Sequence, residues 1–515
     1  MAGVPGTGWG GADPGLALRL ADAAGPGLEP ALYVARALMV LDRFAEVEER
    51  LAPLEPEAAG AGPELAGAYL RTRALSLRWR GAGPKALELI ERAAGWQDGP
   101  DWAALGASLR GWILFYDGRH ARAVAELEPL AATPGLAPAA RLDLLVALVT
   151  ALSRLGLIDR CEALEPEIEA LADELDRAGI ETGWARYAVV SQACVDAARG
   201  VPAVAERLAA GIERAEARAD EALAGGLGWA AGRLELIRGH TADAARILER
   251  ATAGLAVGDP KTALGLCLAD LSRTHAIRGD AEAAAAALAR AQAAAGERPA
   301  FRRLALELGG ARAWVQAARG RPTAGQRELL AVGQEAGEDL AIRVESAYAA
   351  LRLGAPPRVC AERLAPLAER MHSDLASACA AHASAHAHGD GRAQLQAARR
   401  FAELEVDILC AEAAAGAART LREEGRQASA REAAALAARH AGLCQGARTP
   451  AMSQPEEHVD LTEREREIAT LAAAGRSNAE IAKRLAISHR TVETHLYRVF
   501  KKLGVGKRER LADLL

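Results

Sequence analysis

Six polar side chains between residues 490 and 501 recur at spacings that place them on one face of a helix. They are Arg490, Glu493, Thr494, Tyr497, Arg498 and Lys501. The apolar residues of the same stretch recur at intervals of four, three and four and form the opposite face; they are Val492, Leu496, Val499 and Leu503. Side chains of these polar types can bond to phosphates or base edges when such a helix lies in the major groove of a duplex.

Two shorter helices are predicted before this polar face, because the sequence carries the same start signal twice. Thr462 is followed three residues later by Glu465, and Ser477 is followed in the same way by Glu480. This is the capping-box pattern, in which the first side chain accepts from a backbone N–H and the acid reaches back. Each pair therefore predicts a helix N-terminus.

A connection of only three residues, 486–488, joins the second of these helices to the third. A short helix, a tight turn and an amphipathic helix with a polar outer face make a helix-turn-helix motif. Residues 461–515 carry 12 Lys and Arg against 7 Asp and Glu, whereas the whole chain has a net charge of −5. A positive terminal module on an acidic chain is typical of nucleic-acid binding through phosphate neutralisation.

These residues resemble the LuxR-type (GerE-like) DNA-binding domain of bacterial transcription regulators over about the last 55 residues of the chain. The matching positions are Leu461, Thr462, Arg464, Glu465, Gly475, Ser477, Asn478, Glu480, Ile481, Ala482, Leu485, Ile487, Ser488, Thr491, Val492, His495, Lys502, Leu503, Gly504 and Val505. The resemblance implies a four-helix domain whose third helix reads the major groove and whose fourth helix, Lys507–Leu515, pairs two copies on a two-fold site. Double-stranded DNA and a homodimer on DNA are therefore the expected partners.

The same resemblance implies contacts for single positions. Glu493, Thr494 and Tyr497 would face base edges. The positions near phosphates would be Ser477, Asn478, Thr491 and Lys502. Glu493 departs from the family, in which a basic or amide residue is common at this place, and a carboxylate accepts from a cytosine amino group more readily than it approaches a guanine.

The composition favours helices and a reducing compartment. Aromatic residues make up only 4% of the 515 residues, so the interior must be packed largely by Leu, Ala and Val. Seven cysteines without a CxxC pair are expected to be buried thiols. The longest apolar run, 144–152, is too short to span a bilayer, and the N-terminus has no export signal, so we expect a cytoplasmic, nucleoid-associated protein without a membrane partner.

Ten glycines recur between residues 81 and 425 at separations of 34 to 44 residues. They are Gly81, Gly118, Gly156, Gly200, Gly239, Gly279, Gly320, Gly354, Gly389 and Gly425. This period is typical of stacked helical hairpins. The residues five after and seven before each glycine are small in eight of ten cases, as two closely packed helices require.

The repeats resemble a degenerate tetratricopeptide array. Together with the terminal domain they resemble the large ATP-binding LuxR-type regulators, the MalT-like group, without their ATPase domain. In that group the repeats sense an inducer, so the resemblance implies a small-molecule or protein effector on the array. We therefore predict an all-α fold, a helical-hairpin solenoid followed by a four-helix helix-turn-helix domain; a compact helical bundle with accidental periodicity is the alternative.

The predicted domain boundaries follow composition. Residues 1–29 are expected to form a flexible N-terminus, 30–443 the repeat array, 444–458 a proline-interrupted linker and 459–515 the DNA-binding domain. Residues 3–8 have the glycine spacing of a phosphate-binding loop but lack its Lys and Ser/Thr, so no nucleotide cofactor is expected.

Two groups of side chains in the array are candidates for ligand contact. His382 and His386, with His372 and His388 nearby, have the spacing of a zinc-chelating pair, but no Cys-rich partner accompanies them, and no metal is expected. The tryptophans of the first half are expected mostly in the core, with one or two lining a concave groove; they are Trp79, Trp96, Trp102, Trp112, Trp184 and Trp229.

The sequence favours a sequence-specific DNA-binding transcription regulator, in which a helical-repeat sensor is coupled to the terminal DNA-binding domain. The alternative is a helical-repeat interaction scaffold with an auxiliary helix-turn-helix. No enzyme is expected, because the sequence offers no paired catalytic carboxylates, nucleophile elbow or metal triad.

Overall fold

The structure, a computed structural model, describes residues 26–41, 43–180, 201–218, 220–258, 263–296, 302–452, 463–473, 475–485 and 487–503. Every regular element in these ranges is a helix, which confirms the predicted all-α fold. The chain divides into two compact units, Met1–Met452 and Ser453–Leu515.

The first unit is a succession of helical hairpins. Its described helices are α1 (Leu28–Val40), α2 (Phe44–Leu51), α3 (Glu55–Ala59), α4 (Pro63–Trp79), α5 (Gly83–Ala93), α6 (Pro100–Tyr116), α7 (His120–Ala131), α8 (Pro138–Arg154), α9 (Ile158–Arg177), α10 (Val201–Ala217), α11 (Glu221–Arg238), α12 (Thr241–Gly258), α13 (Ala263–Ile277), α14 (Ala281–Ala295), α15 (Arg302–Ala318), α16 (Pro322–Glu335), α17 (Leu340–Arg352), α18 (Pro357–Arg370), α19 (Asp374–Ala387), α20 (Gly391–Glu403), α21 (Asp407–Glu423) and α22 (Gln427–Leu443). Consecutive helices pack against each other, and some helices also pack against the next helix but one: α11 packs on α13, and α13 packs on α15. This is the predicted solenoid.

Glycines in the left-handed conformation build the hairpin turns. Nine of the ten predicted turn glycines are described, and their φ angles lie between 66° and 95°. The residue after each glycine donates to the carbonyl five residues before it, as the Ala82 N–H does to the Leu77 oxygen at 2.9 Å. This bond defines the Schellman motif, which needs a positive φ that glycine adopts without strain. Gly200 lies outside the described residues.

Small residues let the two helices of a hairpin approach at the predicted positions. The Ser272 hydroxyl donates to the carbonyl oxygen of Ala284 at 2.8 Å. A Cβ added at Gly325 would lie 2.5 Å from the carbonyl oxygen of Ala313. Each pair stands seven residues before and five residues after a turn glycine, so the prediction of close packing is confirmed at these two turns.

The array curls back on itself, so that helices far apart in sequence meet. Arg154 at the end of α8 is fully buried, and its Nε lies 3.3 Å from Oδ2 of Asp339, just before α17. The backbone N–H of His372 donates to the Gly156 carbonyl at 2.9 Å. Further along, α11 packs against α21. The curl brings the odd-numbered helices from α11 to α21 around a common interior.

Residues 444–452, the terminal segment, belong to the array and not to the linker that the sequence predicted. The backbone N–H of Arg448 donates to the Ile277 carbonyl at 2.7 Å. The Gln445 side chain accepts from the backbone N–H of Ala242, which is 203 residues earlier in the chain, at 3.0 Å. The predicted linker start at residue 444 is therefore wrong, because this polar, turn-rich segment finds its hydrogen-bond partners on distant helices; the compact unit extends to Met452.

Two histidines and two carboxylates connect α11 to α21 and α22. Nδ1 of His240 lies 2.7 Å from Oε2 of Glu235, and its Nε2 lies 3.0 Å from Oδ2 of Asp407. Oδ1 of Asp407 lies 2.6 Å from Nδ1 of His440. The hydrogen bonds to Asp407 and then to Glu235 favour the imidazolium and raise the pKa of His240 to about 9 from 6.5, while Arg238 acts against them.

The His240 cluster makes a pH-dependent contribution to stability. Because the pKa of His240 is raised on folding, the contribution is complete below pH 6.5 and is lost as the pH rises through about 9. We expect the stability advantage of the native chain over His240→Gln to fall by about 3 kcal/mol between about pH 6 and about pH 10. Urea unfolding of both proteins at the two pH values measures this difference. An advantage that does not change with pH would show that the charge of His240 contributes nothing.

The predicted histidine cluster is engaged inside the array. His382 is 8% exposed, and its Nδ1 lies 2.8 Å from the Tyr348 hydroxyl oxygen. Burial lowers the pKa of His382 to about 3, so its ring is neutral at physiological pH. Nδ1 of His372 lies 3.2 Å from Oδ2 of Asp159. Side chains of this cluster therefore bond to other helices of the array.

The cysteines agree with the sequence analysis where the structure describes them. The six described cysteines are free and buried, which confirms the prediction for these six. Burial raises the pKa of Cys360 to about 11, which keeps that thiol protonated. Among the described helices, none combines the length and the apolar character needed to cross a membrane.

Candidate DNA-binding surface

The second unit contains three described helices, α23 (Glu463–Ala473), α24 (Asn478–Leu485) and α25 (His489–Leu503). Their common core consists of Ile468, Ala469, Ala472, Ile481, Val492, Leu496 and Val499. Val492, Leu496 and Val499 are three of the four residues predicted for the inner face of α25. The side chain of Leu503 and the predicted fourth helix, Lys507–Leu515, lie outside the described residues.

The predicted capping box at Ser477 starts α24. The Ser477 hydroxyl oxygen accepts from the Glu480 N–H at 3.3 Å, and Oε2 of Glu480 accepts from the Ser477 N–H at 2.7 Å. The bond from the Ser477 N–H holds the pKa of Glu480 below its ordinary value. This box is confirmed, whereas Thr462 of the first predicted box lies outside the described residues.

A third cap, which the sequence analysis did not identify, starts α25. The Ser488 hydroxyl oxygen accepts from the Thr491 backbone N–H at 3.0 Å and lies 2.7 Å from the Thr491 hydroxyl oxygen. The signal was a serine at the N-cap followed three residues later by threonine instead of the Glu or Gln of a capping box. The cap fixes the first turn of α25, where Arg490 stands.

The outer face of α25 presents the predicted polar side chains to solvent. Arg490, Glu493 and Thr494 are exposed. Tyr497 is 70% exposed, although it is a large aromatic residue on a packed helix. The Thr494 hydroxyl donates to the Arg490 carbonyl at 2.9 Å, so its oxygen can still accept a bond from a ligand. These four residues share one face because they are three or four residues apart.

The remaining residues predicted to contact DNA lie beside this face or have side chains outside the described part of the structure. Ser477 is exposed at the start of α24, and Asn478 and Thr491 are half-buried. Arg498, Lys501 and Lys502 are also predicted to contact DNA and lie on α25, but their side chains are outside the described part of the structure. The structure therefore brings together part of the predicted set, at the first turns of α24 and α25.

Glu493 has a histidine as its neighbour on α25. Nδ1 of His489, one turn earlier on α25, lies 3.5 Å from Oε1 of Glu493, and both side chains are more than half exposed. An exposed pair of this kind is worth little in stability. It nevertheless places a group that can carry positive charge beside the one acid on the outer face.

A short helix, a capped turn and an amphipathic helix with an exposed polar face define a helix-turn-helix unit. Residues 459–515 match the family model for "Bacterial regulatory proteins, luxR family". This segment therefore belongs to the luxR family, as the sequence resemblance predicted.

Curated relatives match the same segment. Identity is 54% over 52 residues with the CsgBAC operon transcriptional regulatory protein of Escherichia coli, covering 10% of this chain and 24% of that protein. It is 56% over 51 residues with the transcriptional regulatory protein MctR of Rhizobium johnstonii, covering 10% and 24%. Mb0914c of Mycobacterium bovis is 51% identical over 53 residues, covering 10% of this chain and 6% of that protein. The match thus spans a quarter or less of each of these relatives.

Solved structures align with most of this chain at low sequence identity. A Rap protein complexed with competence and sporulation factor aligns at 10% identity and a TM-score of 0.45, covering 72% of this chain and 99% of that chain. The human IFIT1 dimer with PPP-AAAA aligns at 14% identity and a TM-score of 0.38, covering 83% of this chain and 94% of that chain.

Proposed function

We propose that the protein is a sequence-specific DNA-binding transcription regulator in which α25 enters the major groove. The observation that carries the proposal is the solvent-exposed row of Arg490, Glu493, Thr494 and Tyr497, on the face of α25 opposite its apolar core. Guanidinium and hydroxyl groups in such a row match the donors and acceptors of base edges and phosphates. The family match of the segment and the positive charge of residues 461–515 support the same reading.

In this proposal the two units have different roles. The second unit binds double-stranded DNA, as a homodimer in which the residues after α25 pair two copies on a two-fold site. The array carries the site of a small-molecule or protein effector and changes the DNA binding of the second unit when the effector is present. A regulator of this kind acts on the chromosome, which places the protein in the cytoplasm at the nucleoid.

Selection of double-stranded DNA from a random pool by the full-length protein tests the proposal. We expect enrichment of a two-fold sequence, because α25 reads base edges in each copy. Thr494→Ala combined with Tyr497→Ala should weaken binding to the enriched sequence by about tenfold to a hundredfold, at roughly 1–3 kcal/mol for the lost contacts. Thr470→Ala, at an exposed threonine of α23, is the matched control and should change affinity less than about threefold. A pool in which no sequence is enriched would contradict the proposal.

A further inference from the structure

A cavity of about 150 Å³ lies inside the array, between α11, α13, α15, α17, α19 and α21. A cavity of about this volume holds a molecule the size of benzene. Its lining contains charged side chains at one end and mostly apolar side chains elsewhere. The cavity therefore differs from a packing defect, which would be apolar throughout.

The apolar part of the cavity suits a compact ring or branched chain. The indole of Trp314 forms one wall, and the guanidinium carbon of Arg352 lies 4.8 Å from its ring centroid. Val344, Ile408 and Leu409 contribute aliphatic surface. Such walls bind by removing apolar ligand surface from water.

The charged end of the cavity is held by two buried arginines. Arg233 and Arg273 are 6% and 5% exposed, and both donate to Glu345, at 3.0 Å and 2.5 Å respectively. Arg233 also donates to Asp270 at 3.0 Å, and Arg273 donates to Glu307. The guanidinium groups are thus directed at protein carboxylates.

Glu345 is the polar group that this end offers to a ligand. Its side chain is 43% exposed, whereas that of Asp270 is 1% exposed. Oε2 of Glu345 accepts a hydrogen bond from Arg233 and Oε1 accepts one from Arg273, and a carboxylate oxygen can accept two bonds. The cavity therefore offers hydrogen-bond acceptors at a carboxylate beside an apolar chamber.

We propose that this cavity binds a small ligand with a compact apolar body and a hydrogen-bond-donating head, an amine or an amide, whose donor bonds to Glu345. The apolar body occupies the space beside Trp314. The volume limits the body to about six to nine non-hydrogen atoms.

The cavity wall is bonded to the terminal segment that precedes the DNA-binding unit in the chain. Arg352, which lines the cavity, donates to both oxygens of Glu412, at 2.7 Å and 2.9 Å. The same carboxylate accepts from the Thr449 hydroxyl at 2.6 Å. Ile277, a second lining residue, accepts from the Arg448 N–H at 2.7 Å. A ligand that orders this wall therefore also stabilises the contacts to residues 444–452. This inference rests on the proposed function, because it gives the proposed effector a binding site and a structural connection to the segment before the DNA-binding unit.

Titration calorimetry tests which head group the cavity prefers. The full-length protein is titrated with three probes that share a phenyl ring. Benzylamine donates and is positively charged, benzamide donates and is neutral, and benzoate only accepts. We expect benzylamine to bind at least about tenfold more tightly than benzoate, with benzamide between them, because a charge-assisted hydrogen bond to Glu345 is stronger than a neutral one. A tenfold difference corresponds to about 1.4 kcal/mol. Benzoate binding as tightly as benzylamine, or no binding of any probe, would overturn the proposal.

Two variants locate the binding. Glu345→Gln should weaken benzylamine binding about tenfold and leave benzamide within about threefold, while Glu369→Gln at an exposed position of α18 changes neither. Ala376→Leu fills the cavity and should abolish binding of every probe, and Ala381→Leu, exposed on the same helix, should not. If Ala376→Leu does not fold, the benzylamine affinity of Glu345→Gln tests the site by itself, since Glu345 is partly exposed. Equal benzylamine affinity in native protein and Glu345→Gln would refute the site.

Hydrogen exchange tests the connection to the terminal segment. Bound benzylamine should slow amide exchange in residues 444–452, and Thr449→Val should bind benzylamine normally but lose this protection. Unchanged exchange in the native protein would overturn the connection. Ligand binding is measured without DNA, so its failure leaves the DNA-binding proposal standing, and a failure to bind DNA leaves the ligand site standing.

Discussion

Asp270→Ala should lower the free energy of unfolding by about 3–5 kcal/mol, because it leaves buried positive charge without its partner. Asp270 is 1% exposed and accepts from the Trp229 indole N–H at 2.8 Å and from Arg233 at 3.0 Å. Its Oδ1 also lies 3.4 Å from a guanidinium nitrogen of Arg273. Removing the carboxylate leaves the Trp229 indole N–H without this acceptor. It also leaves Arg233 and Arg273 paired only with the remaining carboxylates.

Urea unfolding followed by circular dichroism measures this loss, and an exposed ion pair supplies the control. Glu432 pairs with Arg399 between neighbouring helices, and both side chains are more than half exposed. Glu432→Ala should therefore cost less than about 1 kcal/mol. If Asp270→Ala costs no more than Glu432→Ala, the buried cluster does not stabilise the array.

Gly239→Ala should cost about 2–5 kcal/mol, more than the same change at an open turn. Gly239 has a φ of 95°, and an added Cβ would collide with the Cβ of Ile408 on α21 and lie 3.0 Å from the Ile408 backbone nitrogen. Left-handed strain contributes about 1–2 kcal/mol, and the forced shift of packed helices adds about 1–3 kcal/mol.

Gly320→Ala separates these two effects. Gly320 has a φ of 76° and occupies the same kind of turn, but nothing lies within 4 Å of an added Cβ. This variant should lose only the strain energy, about 1–2 kcal/mol. Equal losses for the two variants in thermal or urea unfolding would show that α11 and α21 do not pack closely at Gly239.

The hairpin turns were predictable because their signal is local. A Schellman turn favours glycine at one position, the close packing of the two helices needs small residues at fixed distances on either side, and each requirement is visible within about a dozen residues. The cap at Ser477 is local in the same way. Ser488 was missed because its partner Thr491 does not belong to the capping-box pattern, although serine is a favoured N-cap on its own.

The interior of the array could not be predicted, because its contacts depend on how the hairpins curl. Arg233 meets Asp270 at a separation of 37 residues and Glu345 at 112. These separations are close to one and three repeat periods, but the repeat alone does not say which side chains of different hairpins meet in the interior. Trp314, which lines the cavity, was not singled out, whereas Trp229 was and proved to be buried against Asp270.

The terminal segment shows how composition can mislead. Residues 444–452 contain Gly446 and Pro450 and show no helical periodicity, which is typical of a linker. Thr449 is nevertheless fully buried and bonded to Glu412. Backbone and side-chain polar groups need partners, and helices far away in sequence supply them here.

The salt dependence of DNA binding tests the central claim most directly. The affinity of the full-length protein for its selected DNA should fall steeply as salt rises, with a slope of about −0.9 per neutralised phosphate on a double-logarithmic scale. Arg490→Ala should reduce that slope by about one, whereas Arg246→Ala, at an exposed arginine of the array, should leave it unchanged. Binding that is insensitive to salt, or equally steep in Arg490→Ala, would contradict entry of α25 into a DNA groove.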